Sequence, residues 1–220
     1  MKLIKKILRY LLYAIIAFHV WILALAFINP VITPYQILNL FEGHGIEKDW
    51  ADYEEINPWL FRCLIAAEDA RYFTHSGVDW KAVDEAKKAN EKNPKKRRRG
   101  ASTITMQTAK NIFLWHGRNY VRKGMEVYVS YIIDFVWGKK RVLEVYANVV
   151  EWGDGIYGVE AASQSFFNKS ASELTKREAS LLIAVLPNPK KWNPSKPTKY
   201  IQGRASTIRA RADAVKLVFE

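Results

Sequence analysis

The stretch "YVRKGMEVYVSYIIDFVWGKKRVLEVYANVV" (Tyr120–Val150) decides the architecture. It reads as one or two long helices with a break near Gly138. The helical pattern continues on both sides. In "LFRCLIAAEDARYF" (Leu60–Phe73), Leu60, Leu64 and Ala67 fall on one stripe, and from Ser102 the chain turns helical again. Two overlapping capping boxes, Ser170-x-x-Glu173 and Thr175-x-x-Glu178, announce "EASLLIAVL", which stops before "PNP". The tail "ASTIRARADAVKLVF" suggests a last amphipathic helix. With no internal repeat and no series of alternating strands, the chain is expected to be mainly α.

At 220 residues the chain can hold one full core and an extra segment. That extra segment is N-terminal. "LLYAIIAFHVWILALAFI" (Leu11–Ile28) contains eleven Leu, Ile, Val or Phe residues; at roughly −0.4 kcal/mol each they favour insertion by about 5 kcal/mol, which outweighs neutral His19. A cleavable signal ending at Ala24-Leu25-Ala26 is the rival reading, but the apolar run continues through Ile28, which favours an uncleaved anchor. Residues 1–10 then form a basic tip held inside by Lys2, Lys5, Lys6 and Arg9, and the chain beyond Pro30 faces outward. Residues 29–59 read as a juxtamembrane connector whose Ile37, Leu38, Leu40 and Phe41 could rest at the lipid interface. Residues 60–220 are expected to form the main domain.

Net charge is +12, which points to acidic partners: nucleic acid, anionic lipid or phosphate-bearing substrates. The single cysteine, Cys63, excludes an intrachain disulfide and a multi-cysteine zinc site, and its apolar surroundings suggest a packed thiol. Segment 81–99 is rich in lysine and arginine and interrupted at Asn93-Pro94, so a mobile loop or lid is expected there, with Lys95–Arg99 close to the bilayer surface.

Several groups could carry chemistry. Glu68 and His75 are nearly two helical turns apart and would share a face if the helix ran on. Glu68 suits a general base at the rim of a core; a buried salt bridge or helix cap is an equal alternative on this segment alone. A metal site from Glu68, Asp69 and His75 is the weaker option, and no H-E-x-x-H occurs. Glu126 lies four residues after Arg122 among apolar and aromatic neighbours, and the plain reading is an i,i+4 ion pair. From Gly100 the chain offers Ser102, Thr103, Thr105, Gln107, Lys110 and Asn111 at a helix start, either an anion site or a solvated helix end. "GDGIYG" (Gly153–Gly158) matches G-x-G-x-x-G, but without a βαβ series it reads as a glycine-rich loop joining two helices.

Taken in order, "EDARYFTHSGVD" (68–79), "GASTITMQTAKN" (100–111), "RKGMEVY" (122–128) and "KKRVLEVYANVVEWGDGIYGVEAASQSFF" (139–167) resemble the monofunctional peptidoglycan glycosyltransferases that polymerise lipid II. The resemblance spans about Leu60 to Pro194. It implies a lysozyme-like helical fold behind one transmembrane helix. It also implies inverting transfer of the growing glycan from undecaprenyl pyrophosphate to the GlcNAc 4-hydroxyl of lipid II.

By this resemblance Glu68 is the catalytic base. Glu126 assists the departing pyrophosphate directly, through water, or through a divalent ion such as Mg or Mn; no organic cofactor is implied. Asp69 and His75 match acceptor-side positions. Thr103, Gln107, Lys110, Asn111 and Arg122 match the donor-side set, with Ser102 beside them. The implied setting is the bacterial inner membrane with the catalytic domain in the periplasm, alongside cell-wall synthesis or division proteins and away from nucleic acid.

Three positions depart from the family's pattern: Met106 stands where a glutamine is usual, Tyr72 where phenylalanine is common, and Ala147 where leucine is usual. The last two suggest packing changes. No S-x-x-K occurs, so the resemblance carries no transpeptidase half. The competing readings are a lytic transglycosylase or hydrolase of the same polymer and a non-catalytic, membrane-tethered basic binding protein. The phosphate-handling set from Thr103 to Arg122 argues against the first, because cleaving a neutral glycosidic bond needs no such cations.

Overall fold

The computed structural model describes residues 2–94, 98–115, 117 and 119–219. Two compact units are present, Met1–Val31 and Ile32–Glu220. The first is the helix α1 (Lys2–Ala24), in which Ile22 is the one buried residue. Its 23 residues make a rod about 34 Å long, enough to cross a hydrocarbon layer of roughly 30 Å.

The second unit is mainly α. It begins with α2 (Pro34–Phe41), started by a Thr33–Gln36 capping box with Pro34 in the first turn. The expected connector is therefore structured from Ile32 onward and belongs to the same compact unit as residues 60–220. Helix α3 (Pro58–Glu68) is capped by Asn57 and buries Leu60, Phe61, Cys63, Leu64, Ile65 and Ala66. It packs against α8 (Lys176–Val185) and α9 (Lys199–Ala212), and these three form one half of the core. Cys63 is fully buried there, and burial pushes its thiol up to about 12. In the other half, α5 (Ile104–Phe113) packs on α6 (Tyr120–Val149). The expected break in α6 falls at Gly138, whose φ of 68° and ψ of 169° leave the helical region.

Four expectations are corrected. Helix α3 does not run on to Phe73; it stops at Glu68, because the Asp69 carboxylate turns away to accept the Ile104 N–H at 3.0 Å. Most of the expected loop over 81–99 is α4 (Trp80–Lys92), capped by the Asp79 carboxylate on the Ala82 N–H. Asn93-Pro94 ends this helix rather than interrupting a loop. Lys95, Lys96 and Arg97 of the basic run lie outside the described residues.

"GDGIYG" is not a plain loop. It folds as a hairpin of β2 (Glu151–Gly153) and β3 (Ile156–Tyr157), with β1 (Glu47–Lys48) parallel to β3 and Glu47 opposite Ile156. Gly155 makes this possible. Its φ is +72°, and a Cβ there would stand 2.5 Å from the Gly45 carbonyl oxygen. The hairpin leads into α7 (Val159–Phe167). The tail helix is α9, which ends at Ala212, short of the expected Phe219. Both sequence-predicted capping boxes form, with Thr175–Glu178 opening α8.

Gly77 holds the turn after His75 against α6. Its φ is +80°, and a Cβ would lie 2.5 Å from the Ser130 backbone oxygen. Gly77→Ala is therefore expected to cost on the order of 1–3 kcal/mol. Thermal unfolding of the detergent-solubilised protein should show this as a midpoint lower by roughly 2–10 °C.

Candidate active site

Glu68 ends α3 on the shared lip of two clefts. The first, about 250 Å³, is lined by Tyr35, Gln107, Lys110, Asn111, Tyr146 and Glu151, with the 186–189 turn closing one side. The second, about 280 Å³, lies between the 69–71 turn, α4 and residues 100–103. The Glu68 side chain is 20% exposed. Gln107 Nε2 donates to its Oε2 at 3.0 Å, while the Tyr146 hydroxyl donates to Gln107 Oε1 at 3.1 Å. An ionised carboxylate only accepts, so the amide turns its N–H₂ to Glu68 and leaves Oε1 to the buried tyrosine. Arg204, on α9, brings Nη2 to 3.9 Å from the other Glu68 oxygen.

His75 does not share a face with Glu68. It meets Asp69, with Nε2 at 3.0 and 3.2 Å from the two carboxylate oxygens. Asp69 is 6% exposed and also caps α5, so the pair joins the end of α3 to the start of α5. His75 Nδ1 is buried without a hydrogen-bond partner among the described residues. Thr103 lines the second cleft, but its hydroxyl is committed: it donates to the Gly77 carbonyl at 2.6 Å and accepts the Met106 N–H. Across this cleft Arg71 reaches Asp79 at 2.7 Å and Glu85 at 3.0 Å, tying α4 to the turn after Glu68.

Glu126 lines neither cleft. It is 4% exposed and held by Arg122 and by Lys123, whose Nζ is 2.9 Å from Oε2. The same Lys123 ammonium donates to Ser102 Oγ at 2.9 Å, and Ser102 opens on the second cleft. Lys123 thus links Glu126 to Ser102, which shares the second cleft with Glu68. Burial, reinforced by Arg122, lowers the Lys110 pKa; burial, Arg122 and Lys110 lower that of Lys123. Two cations, Arg122 and Lys123, therefore bind one carboxylate, and the charge of Lys110 is felt by Lys123. The positive charge, with Arg122 Nε buried and without a hydrogen-bond partner among the described residues, suits an anion.

Met106 is 2% exposed and belongs to the packing, so the residue in the usual glutamine place supplies no polar lining. Ala147 is likewise a buried packing position. Tyr72 is more than that: its hydroxyl donates to the Lys139 carbonyl at 2.8 Å. Sequence reasoning missed Lys123, Tyr146, Arg204, Tyr35 and Glu151. The i,i+3 spacing of Lys123 to Glu126 could have found the first; no local pattern marks Arg204 or Glu151.

Among the described residues no group of three or more His, Cys, Asp or Glu is placed to hold a metal ion. Glu126 is bonded to Arg122 and Lys123, and no step is assigned to a divalent ion.

Glu68 thus stands between two clefts on a helical frame, and the first cleft also holds Lys110. Comparison with known proteins identifies the family. The family model described as transglycosylase matches residues 36–213. A biosynthetic peptidoglycan transglycosylase of Rhodospirillum centenum is 43% identical over 221 residues, covering 98% of this chain and 95% of that protein. The Caulobacter vibrioides protein of the same name is 47% identical over 86% of this chain and 82% of its own length. An Escherichia coli relative is 51% identical over 73% of this chain and 66% of its own length. The chain belongs to the transglycosylase family.

A lysine whose folded pKa lies below 10.5 opposes folding at neutral pH, and the penalty fades as pH rises from the lowered folded value towards 10.5. Lys110→Met is therefore expected to raise the unfolding temperature at pH 7, with a smaller gain near pH 10. Its activity should fall by about 10²–10³-fold, the usual cost of losing one charge-stabilising donor. Unfolding scans at both pH values, beside a turnover assay, check the pair of effects.

Proposed function

We propose that this chain polymerises lipid II into peptidoglycan glycan strands. The observation that carries the proposal is the position of Glu68 between two clefts, with Lys110 in the first of them and Arg122 and Lys123 within electrostatic reach of Lys110. The GlcNAc 4-hydroxyl of lipid II gives its proton to Glu68 as its oxygen attacks the anomeric carbon of the growing strand. The bond from that carbon to undecaprenyl pyrophosphate breaks on the opposite face, so configuration inverts. Gln107, locked by Tyr146, holds the Glu68 carboxylate in line.

The departing pyrophosphate gains negative charge and is met by Lys110, Arg122 and Lys123. Glu126 keeps two of these cations in place rather than donating a proton. This chain carries no S-x-x-K, so cross-linking is not assigned to it. Helix α1 is the membrane anchor, with the basic tip inside and the catalytic unit in the periplasm.

Purified full-length protein in detergent with lipid II should yield long strands, and Glu68→Gln should lower the rate by about 10²–10⁴-fold. Polymerisation by that variant at the parental rate would overturn the mechanism. Tyr146→Phe, which removes only the hydroxyl that orients Gln107, should lower kcat with little change in KM.

A further inference from the structure

Helix α2 carries its polarity the wrong way round for a helix in water. Tyr35 and Asn39, one turn apart, face the domain. The Tyr35 hydroxyl donates to Glu151 Oε2 at 2.6 Å; Asn39 Nδ2 donates to Glu151 Oε1 at 3.4 Å and to the Tyr157 hydroxyl. Lys190 adds a bond to Asn39 Oδ1 at 3.2 Å. At 100° per residue, Ile37, Leu40 and Phe41 point the opposite way. They are 40%, 53% and 85% exposed. Residues 25–33 can extend at most about 32 Å, so an α1 that spans a bilayer keeps α2 within that reach of its surface.

We propose that α2 seats its outer face in the lipid interface and so serves as a membrane-held wall of the cleft. The occupant is the bilayer, because a short helix with a polar inner face and an apolar outer one, tethered close to a spanning segment, has lipid as its nearest apolar phase. The coupling to the cleft is direct: Tyr35 and Glu151 line the same space as Glu68, Lys110 and Asn111. Glu151 is pinned further by the Gly155 N–H at 3.2 Å, so the wall is a rigid joint between α2 and the hairpin. A substrate carried on a lipid presents its sugar at a set height above the bilayer, and a wall fixed at that surface receives it in register. The coupling rests on the polymerase reading; the seating of α2 does not.

The test uses the full chain in nanodiscs. Nitroxide labels are placed by Ile37→Cys, Leu40→Cys and Phe41→Cys, with Gln202→Cys on α9 as control; buried Cys63 escapes labelling. The three α2 labels should collide with oxygen more than with a water-soluble nickel chelate, and the control should do the reverse. Nickel access at Phe41, or shielding from both reagents as a protein partner or second copy would give, overturns the seating.

The double variant Leu40→Ser/Phe41→Ser should match the parent on a short-chain, water-soluble lipid II analogue. On long-chain lipid II in bilayers it should lose about tenfold in rate, the equivalent of 1.4 kcal/mol. Equal rates in bilayers overturn the coupling, whereas failure of the parent itself on both substrates would instead refute the polymerase reading.

Discussion

The structure depends on one carboxylate that leaves its own helix. Asp69 follows the last residue of α3, turns to accept the Ile104 N–H, and is held from the other side by His75. That triple contact does three things. It stops α3 at Glu68, so that the glutamate stands at a helix end and not within one. It satisfies an otherwise unpaired amide at the start of α5. It also brings α5 to the end of α3 with Gln107 at bonding distance from Glu68. A buried carboxylate with one amide and one imidazole partner is costly to misplace, which makes this junction a firm reference for both clefts.

Against that rigid junction stands a cluster of charge that works against folding. Burial and the Arg122 charge lower the Lys110 pKa; burial, Arg122 and Lys110 lower that of Lys123, and the Glu126 carboxylate binds Arg122 and Lys123. In the proposed function this positive charge stands ready for a pyrophosphate, and its cost in stability is offset elsewhere in the unit.

The helical class, the α6 break at Gly138 and both capping boxes were legible because they rest on local chemistry: spacing, caps and a single glycine. Glu68, Gln107 and Lys110 were found through motifs, and the structure brings them together. What was not legible depended on distant contacts. The end of α3 is decided by an amide 35 residues away. The hairpin in "GDGIYG" requires a parallel partner at Glu47–Lys48 that its own sequence does not announce. The helix over Trp80–Lys92 was hidden by its charge, although Asp79 stood at its start as a cap. Thr103, placed in the donor-side set by resemblance, lines the second cleft, and the bonds of its hydroxyl to Gly77 and the helix start were not legible in the sequence.

Cys63 has a consequence of a different kind. The only thiol of the chain is fully buried between α3, α8 and α9, and burial raises it to about 12. The folded protein thus presents no thiolate to oxidants or metal ions, and its architecture is indifferent to the redox state around it. The sulfur becomes reactive only when that half of the core opens. It is therefore a natural clock for the opening, read out one covalent event per molecule.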